Sequence, residues 1–296
     1  MSDASPPPRI PTLLRARQAS LTPAEARVAE ALLADHPTAG LGTVASLARR
    51  AGVSDPTVVR LVAKLGFEGF ADFQRALLDE VEERLRSPLM MLEARAPAAE
   101  GSAEAYLASL ETALSETRQR DLAASYARAA ALLADRRLRL SLIGGRFSRF
   151  LAGILQGHLV QLRPGTRHLE GTAAELVDTL VDLGRQDVLV VFDYRRYQAD
   201  VVDFARQAQA RGARLVLFTD PWRSPLAEIA TLVFTAPVAA GSAYDTMVPA
   251  LAQVEALLAC LLEARSPETE RRLRALEELR ASNSVTLDRP DRGRIK

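Results

Sequence analysis

The chain has 296 residues, of which 48% are hydrophobic and 25% charged, and its formal net charge is +1. This is enough apolar material for two domains with separate cores. The net charge excludes a uniformly basic nucleic-acid-binding protein, so any DNA binding must come from a local patch. The single cysteine, Cys260, excludes an internal disulfide framework and fits a reduced, cytoplasmic location. No apolar run reaches about 18 residues, so we expect no membrane span.

The first part of the chain, from Leu13 to about Glu83, has a helical pattern with short loops. Before it, Met1–Pro8 is polar and rich in proline, which predicts a disordered start rather than a signal peptide. After it, prolines and a glycine mark Arg86–Ser102 as a linker, with a short helical piece predicted around Leu89–Arg95. We therefore expect an all-α helix-turn-helix bundle over residues 10–86.

The rest of the chain changes from helical to strand-like periodicity. Residues 87–119 are predicted to be a linker and a connecting helix, and residues 266–296 a C-terminal helix and tail. Between them, short apolar runs predict five strands: Leu138–Ile143, Thr166–Leu169, Val188–Phe192, Arg214–Phe218 and Thr231–Phe234. Because helical patterns alternate with these runs, residues 120–265 are predicted to form a doubly wound parallel sheet, and the fold class is α/β overall.

The segment Val44–Leu65 predicts two helices joined by a tight turn. Gly52 can end the first helix with a positive φ, and Val53 is expected to point inward from the turn. Ser54 is a favourable N-cap for the second helix, and an acidic residue and a proline follow it in the first turn. This arrangement suits a helix that enters the major groove of DNA.

The second helix is predicted to bury one side and to present the other to DNA. The residues assigned to the inner side are Val58, Val59, Leu61, Val62 and Leu65. The residues assigned to the outer side are Asp55, Pro56, Thr57, Arg60 and Lys64. Thr57 and Arg60 are the candidates for base contact, whereas Arg49, Arg50 and Lys64 are candidates for phosphate contact. Ser54 and Asp55 complete the candidate surface, and a capping role suits Asp55 better than a place beside phosphates.

Ligands of a doubly wound sheet bind where the strands end at the carboxyl edge. That rule selects Gly144–Ser148, Asp193–Tyr197 and Thr219–Ser224. Arginines in these loops can hold a carboxylate or a phosphate through two hydrogen bonds; alternatively, an aspartate pairs with one of them and fills the site. The candidate ligand-binding residues are Gly144, Arg146, Ser148, Asp193, Arg195, Arg196 and Asp245. Asp245 precedes the apolar helix Val248–Leu262, which it could instead cap.

Three stretches near the N-terminus resemble the RpiR/MurR family of bacterial regulators: Leu21–Ala29, Ala48–Arg60 and Lys64–Phe73. The resemblance implies a C-terminal sugar isomerase (SIS) domain that dimerises and senses a ligand, usually a phosphosugar. Typical SIS loops read G-x-G-x-S and S-x-S-G. Here Arg146 replaces the second glycine of the first loop, and the second loop reads Asp193-Tyr194-Arg195-Arg196, so the serine and amide cradle for phosphate is reduced. The later Ser224–Ala227 matches the family.

We therefore predict a DNA-binding transcription regulator, not an enzyme, which uses neither metal nor cofactor. Its expected partners are a double-stranded DNA operator, a small anionic effector and further copies of itself in a homodimer or homotetramer. One alternative is a regulator whose SIS domain only dimerises. The other is a sugar-phosphate isomerase, for which the candidate bases are His158, His168, Glu170 and Glu175. We expect His158 to pack in the core or in an interface, and the DNA-binding pattern has no purpose in such an enzyme.

Overall fold

The computed structural model of the chain describes residues 10–85, 87–94, 103–120 and 122–285. The chain divides into two compact units, Met1–Ser87 and Pro88–Lys296. The first is helical and the second is α/β, which confirms the predicted fold class. Met1–Pro8 and most of the predicted linker lie outside the described residues. Within the described ranges, none of the helices combines the length and the apolar character needed to cross a bilayer.

The described part of the first unit has six α-helices around one apolar core. They are α1 (Ile10–Arg17), α2 (Pro23–Ala34), α3 (Thr38–Leu41), α4 (Val44–Ala51), α5 (Asp55–Leu65) and α6 (Phe70–Leu85). Helix α2 begins with a capping box, in which Thr22 accepts from the amide of Glu25 and Glu25 accepts from the amide of Thr22. The core side chains that join α2, α4, α5 and α6 include Val28, Leu32, Leu47, Leu61, Phe73 and Leu77.

The second unit holds eight helices and five strands in its described residues. The helices are α7 (Pro88–Ala94), α8 (Ala103–Gln119), α9 (Ala123–Ala134), α10 (Arg149–Leu162), α11 (Ala173–Thr179), α12 (Ala199–Ala210), α13 (Val248–Glu263) and α14 (Pro267–Ser282). The strands are β1 (Arg139–Gly144), β2 (Thr166–His168), β3 (Asp187–Phe192), β4 (Arg214–Thr219) and β5 (Leu232–Thr235). All five lie within a residue or two of the predicted runs.

The strands form one parallel sheet in the order β2-β1-β3-β4-β5. Helices α9, α10 and α13 cover one face, and α11 and α12 cover the other, so the sheet is doubly wound as predicted. Every residue of β3 is buried, as expected for a central strand with helices on both sides. The carboxyl ends of β1, β3 and β4 consequently lie side by side, and their loops form the crevice described below.

Aromatic rings stack across the middle of the sheet and pack against helix α9. Phe192 of β3, Phe218 of β4 and Phe234 of β5 stack in sequence, with ring centroids 4.7 Å apart in each pair. Tyr126 of α9 packs on Phe234 with centroids 5.0 Å apart. The spacing of the rings matches the spacing of neighbouring strands, because paired residues of a parallel sheet project in register.

Helices α7, α8 and α14 extend the second unit beyond the five-stranded core. Helix α8 packs on α13, and α14 packs on α10. Both nitrogens Nε and Nη2 of Arg272 in α14 donate to the carbonyl of Val160, at 3.0 and 2.8 Å. The segments assigned from the sequence to a connecting helix and to a C-terminal helix therefore both fall within this second compact unit.

Candidate functional site

Helices α4 and α5 are joined by the tight turn that the sequence predicts. Gly52 has a φ of 64° and donates its amide to carbonyls of the last turn of α4. The amide of Val53 donates to Ala48 O at 2.9 Å. Ser54 has an extended backbone (φ −84°, ψ 154°) and occupies the N-cap position of α5. The turn therefore satisfies the last carbonyls of α4 and starts α5 at a fixed angle.

The hydroxyl of Ser54 does not cap α5 in the predicted way. No helix amide donates to it, and it shares a hydrogen bond with the hydroxyl of Thr57 at 3.1 Å instead. The same Thr57 oxygen accepts from Nη2 of Arg60 at 3.2 Å. Ser54, Thr57 and Arg60 thus form a small polar chain along the first turn of α5, and it fixes the direction in which the arginine leaves the helix.

Two residues of α5 face the opposite way from the prediction. Thr57, assigned to the outer side, is 4% exposed. Val59, assigned to the inner side, is 47% exposed. Thr57 lies one helical turn before buried Leu61, and helical periodicity places them on the same side. The exposed face of α5 and its N-cap consists of Ser54, Asp55, Pro56, Val59, Arg60 and Ala63.

The three basic residues predicted to contact phosphates have different surroundings. Arg49 is exposed on α4. Arg50 is also exposed, and its Nη1 lies 2.7 Å from Oδ2 of Asp35. Lys64 is only partly exposed, and its Nζ donates to Glu25 Oε2 at 2.9 Å and to Ser20 O at 2.8 Å. Its assignment to the outer face of α5 is therefore wrong, because its ammonium group ties α5 to the start of α2.

The Lys64 contact perturbs the capping glutamate of α2. The backbone amide of Thr22, followed by the side chain of Lys64, lowers the pKa of Glu25 below its usual 4.5. The backbone amide of Thr22 and the ammonium group of Lys64 therefore favour the carboxylate form of Glu25.

In the second unit, the loop after β1 is closed by its own side chains. The hydroxyl of Ser148 accepts from the amide of Gly145 at 2.9 Å and donates to Phe192 O at 2.6 Å. The amide of Arg146 donates to Oε1 of Gln198 at 2.8 Å. A Cβ on Gly144 would lie 2.5 Å from the amide nitrogen of Arg149, which explains the glycine at this position. The serine and two amides of this loop are thus engaged within the chain.

The loop after β3 starts with a buried carboxylate. Asp193, at the end of β3, accepts from the hydroxyl of Ser224 and, at 3.4 Å, from the amide of Gln198. A second buried aspartate, Asp220, directly follows β4 and accepts from the hydroxyl of Tyr197 at 2.9 Å. These contacts bind the loops after β3 and β4 to each other at the carboxyl edge of the sheet.

Arg195 and Asp245, both predicted ligand-binding residues, form an ion pair. Nε of Arg195 donates to Oδ2 of Asp245 at 2.7 Å, and Nη2 contacts Oδ1. The guanidinium carbon lies 5.4 Å from the centroid of the Trp222 ring, and Nη2 also donates to Sδ of Met91 at 3.1 Å. The arginine therefore has a two-point carboxylate partner and an aromatic surface beneath it.

Arg196, where the resembled family has a glycine, has a backbone conformation that favours glycine. Its φ is 61°, in the left-handed region that favours glycine, and its side chain is exposed. Arg223 has a φ of 63° at the same place in the next loop. The two loops, Asp193–Arg196 and Asp220–Arg223, both begin with a buried aspartate and end with an arginine at positive φ. Strained residues of this kind gather at functional sites.

The residues considered as isomerase bases are either exposed or engaged in contacts that stabilise the fold. His158 is exposed on α10, so it does not pack in the core; its place in an interface stays a prediction. Nδ1 of His168 lies 3.6 Å from Oε1 of Glu170, and burial lowers the pKa of the histidine. Glu175 forms a capping box with Thr172 at the start of α11. The amide of Thr172 is also the main cause that lowers the pKa of Glu175.

Three residues at this edge of the sheet were not among the candidate ligand-binding residues. Gln198, which contacts the loop after β1, lies outside the loops selected from the sequence. Tyr197 contacts Asp220, and Trp222 lies under Arg195; both fall within the selected loops but were assigned no role. The recurrence of Asp-x-x-Arg after two neighbouring strands is a signal that could have shown the likeness of the two loops. The contact of Met91 with Arg195 joins residues far apart in the chain and has no local signal.

Comparison with known proteins agrees with this architecture. A family model described as a helix-turn-helix domain of the rpiR family matches residues 9–84, and a SIS domain model matches residues 132–260. The Vibrio vulnificus NanR protein complexed with ManNAc-6P is 21% identical, with a TM-score of 0.55 over 94% of this chain and 99% of that one. The sugar isomerase domain of the RpiR transcription factor from Sphaerobacter thermophilus is 25% identical, with a TM-score of 0.53 over 59% of this chain and 97% of that one.

A curated relative matches the chain over a shorter stretch. The bifunctional protein glk of Burkholderia mallei is 42% identical over 65 residues, which are 22% of this chain and 10% of that protein. The match thus spans about a tenth of the length of the relative.

Fold and sequence together define a protein with a helix-turn-helix domain followed by a doubly wound SIS domain. The chain belongs to the RpiR/MurR family: its N-terminal domain is of the rpiR type, and the two family models follow each other in the order that the resemblance implies.

Proposed function

We propose that this protein is a DNA-binding transcription regulator whose SIS domain binds a small anionic metabolite. The observation that carries the proposal is the α4–α5 unit in an rpiR-type domain, with Val59 and Arg60 on an exposed helix face that the turn at Gly52 positions. An anchored helix with an exposed N-terminal half is the geometry that major-groove recognition needs. Arg60 can pair with a guanine edge, and the methyl groups of Val59 can contact a thymine methyl.

The anionic effector is supported by the arginines at the carboxyl edge of the sheet. Arg146 and Arg196 are exposed there, and Arg195 already holds a carboxylate. The NanR protein of similar fold is complexed with ManNAc-6P, and in this chain the serines of the usual second loop are replaced. We therefore propose a phosphosugar or a carboxylate as the effector class.

A homodimer through the SIS domain is supported by an exposed apolar strip at the start of α10. Phe147 and Phe150 are each 59% exposed, and Ile154 lies on the same side of the helix one turn later. Exposed aromatic rings that cluster in this way mark an interaction surface. We propose a second copy of the chain as the occupant, because helix-turn-helix proteins read paired half-sites and a symmetric dimer supplies the pair.

The SIS domain as a mere dimerisation module is the second candidate. It is favoured by the internal engagement of Ser148 and of Arg195, which leaves the usual cradle atoms bonded within the chain.

The test of the proposed function is binding of the full chain to the DNA upstream of its own gene. Fluorescence anisotropy at two salt concentrations should give a specific affinity at least about a thousandfold above that for scrambled DNA. A thermal-shift screen of sugar phosphates and sugar acids then tests the effector. Equal affinity for both DNAs would contradict the regulator; specific DNA binding without any stabilising ligand would favour the dimerisation module.

A further inference from the structure

Arg195, the buried arginine of the crevice, is already paired with a carboxylate, that of Asp245, which is the kind of group that an anionic effector would supply. The side chain of Arg195 is 3% exposed, whereas that of Asp245 is 27% exposed. Asp245 is therefore the more exposed partner of the pair, although its Oδ1, which meets Nη2, is buried. Its two oxygens meet Nε and Nη2, which is the two-point geometry by which a guanidinium captures a free carboxylate.

The groups around Arg195 hold its guanidinium in an orientation in which a ligand carboxylate could replace that of Asp245. Trp222 lies against it with 5.4 Å between the guanidinium carbon and the ring centroid, and Sδ of Met91 accepts from Nη2 at 3.1 Å. These contacts orient the arginine from sides other than that of Asp245. A ligand carboxylate that replaced Asp245 would find the same donors in place, with little reorganisation of the arginine.

The other anion-binding element of the crevice favours a carboxylate over a phosphate. Ser148 uses its hydroxyl as acceptor and donor within the chain, and Gln198 Oε1 accepts the amide of Arg146. Hydroxyls and loop amides are the groups that cradle the three oxygens of a phosphate. Because the hydroxyl of Ser148 and the loop amides are already bonded within the chain, the guanidinium of Arg195 is the group that would recognise an anion. Its two parallel donors fit a planar group with two oxygens, which is a carboxylate.

The segment that carries Asp245 also contacts the N-terminal helices of this unit. The amide of Gly241 donates to Oγ of Ser109 in α8 at 2.8 Å. A Cβ on Gly241 would lie 3.1 Å from that same oxygen, so the segment and α8 are in close contact. On the other side of the ion pair, Met91 belongs to α7, which begins at the boundary between the two compact units.

We propose that Asp245 is an internal surrogate for the carboxylate of the effector. Without effector it neutralises Arg195 and holds residues 236–247 against α8. A carboxylate ligand takes its place on Arg195, and the freed segment changes its contact with α8. This inference rests on the proposed function, since it assigns the effector class and the first step of its response.

The test is chemical rescue in the full chain. Asp245→Ala removes the Asp245 carboxylate from Nε and Nη2 of Arg195. Trp222, the single tryptophan of the chain, reports on the arginine by its fluorescence. Acetate should restore the wild-type spectrum of this variant saturably, whereas chloride at equal ionic strength should not, and inorganic phosphate should act more weakly than acetate. Asp245→Ser, which also leaves room for acetate beside Arg195, provides a second variant with the same expectation.

Asp135→Ala is the matched control. Asp135 also pairs with an arginine, Arg137, and its side chain is 26% exposed, but it precedes β1 at the opposite edge of the sheet. Acetate should leave its fluorescence unchanged, and it should also fail to act on the double variant that combines Asp245→Ala with Arg195→Ala.

DNA affinity provides the second readout. Asp245→Ala should change the affinity for the upstream DNA by about fivefold or more, and acetate should reverse the change, as expected for coupled sites. Folded Asp245 variants without a saturable acetate response would overturn the surrogate. A response that is confined to fluorescence would overturn the coupling. If the wild-type chain bound no specific DNA, the proposed function would fail, while the rescue at Trp222 would still decide whether Arg195 exchanges its carboxylate.

Discussion

Thr57 and Val59, two residues apart on α5, face opposite sides of the helix: the threonine is 4% exposed and the valine 47%. The hydroxyl of Thr57 is used within the domain, by Ser54 and Arg60. The apolar side chain of Val59 is therefore presented to solvent at the centre of the candidate DNA-reading face, where the polar one was expected.

Val59→Ala and Arg60→Ala should each weaken binding to the upstream DNA by about 1–3 kcal/mol, because each removes a side chain that we propose to contact a base edge. Thr57→Val should instead lower the free energy of unfolding by about 1 kcal/mol, through the loss of its internal hydrogen bonds. Anisotropy at fixed salt and urea denaturation measure the two effects. Arg75→Ala, an exposed change on α6, serves as control. Full affinity of Val59→Ala would remove the valine from the interface.

Lys64→Met should destabilise the N-terminal domain by about 1–3 kcal/mol, because it leaves the buried Glu25 carboxylate without its cation. The salt dependence of DNA binding should stay the same. Arg49→Met is the complementary variant: its exposed side chain should contribute about one unit to the salt slope and little to stability. If the Lys64 variant lost the slope and kept its stability, the phosphate-contact assignment from the sequence would be right after all.

The lowered pKa of Glu25 predicts a pH dependence of stability. A carboxylate whose pKa is lower in the folded state stabilises the fold above its unfolded value, here 4.5, and this contribution is lost as the pH falls through the folded pKa. The stability difference between the wild type and Glu25→Gln should therefore be greatest near neutral pH and vanish on acidification. Urea denaturation as a function of pH measures it, with Glu30→Gln, an exposed change on α2, as the comparison.

Ile154→Asp should convert the proposed dimer into a monomer, because it places a charge in the exposed apolar strip of α10. Size-exclusion chromatography with light scattering gives the mass. Val181→Asp is the control, since Val181 is 84% exposed in the turn after α11, on the other face of the sheet. Dissociation by the Val181 change alone would place the interface on that other face.

Arg196→Gly should stabilise the SIS domain by about 0.5–1 kcal/mol, because glycine adopts the φ of 61° without strain. Arg196→Ala removes the same charge and keeps the strain, so it should not stabilise the domain. Thermal denaturation compares the pair. Equal melting temperatures for the two variants would show that the backbone at this position relaxes at no cost.

The sheet was predictable from the sequence because its strands are short apolar runs with turn residues at both ends. Leu189 and Val190 of β3, for example, lie in a run that no amphipathic helix would contain. The positive φ of Gly52 and the N-cap position of Ser54 were predictable for a similar reason, since turn chemistry is local, although the hydroxyl of Ser54 bonds to Thr57 and not to a helix amide.

The errors arose where the type of a residue suggested one environment and its position on the helix, or the reach of its side chain, gave another. Val59 was assigned to the core because it is apolar, although its position follows Asp55 by one turn on the exposed side. Lys64 was assigned to the surface because it is charged, although the long side chain reaches back to Glu25. The pairing of Arg195 with Asp245 joins residues 50 positions apart across a loop, and local pattern carries no information on such a contact.

The ring of Phe218 is held between those of Phe192 and Phe234 at 4.7 Å on each side. It can flip about its own axis only when the neighbouring rings move apart for a moment, since cores packed at this density leave no spare volume. The flipping rate of this one ring can be read from the line shapes of its aromatic protons. It therefore measures how often the packing loosens around β3, β4 and β5, whose side chains lie below the crevice loops.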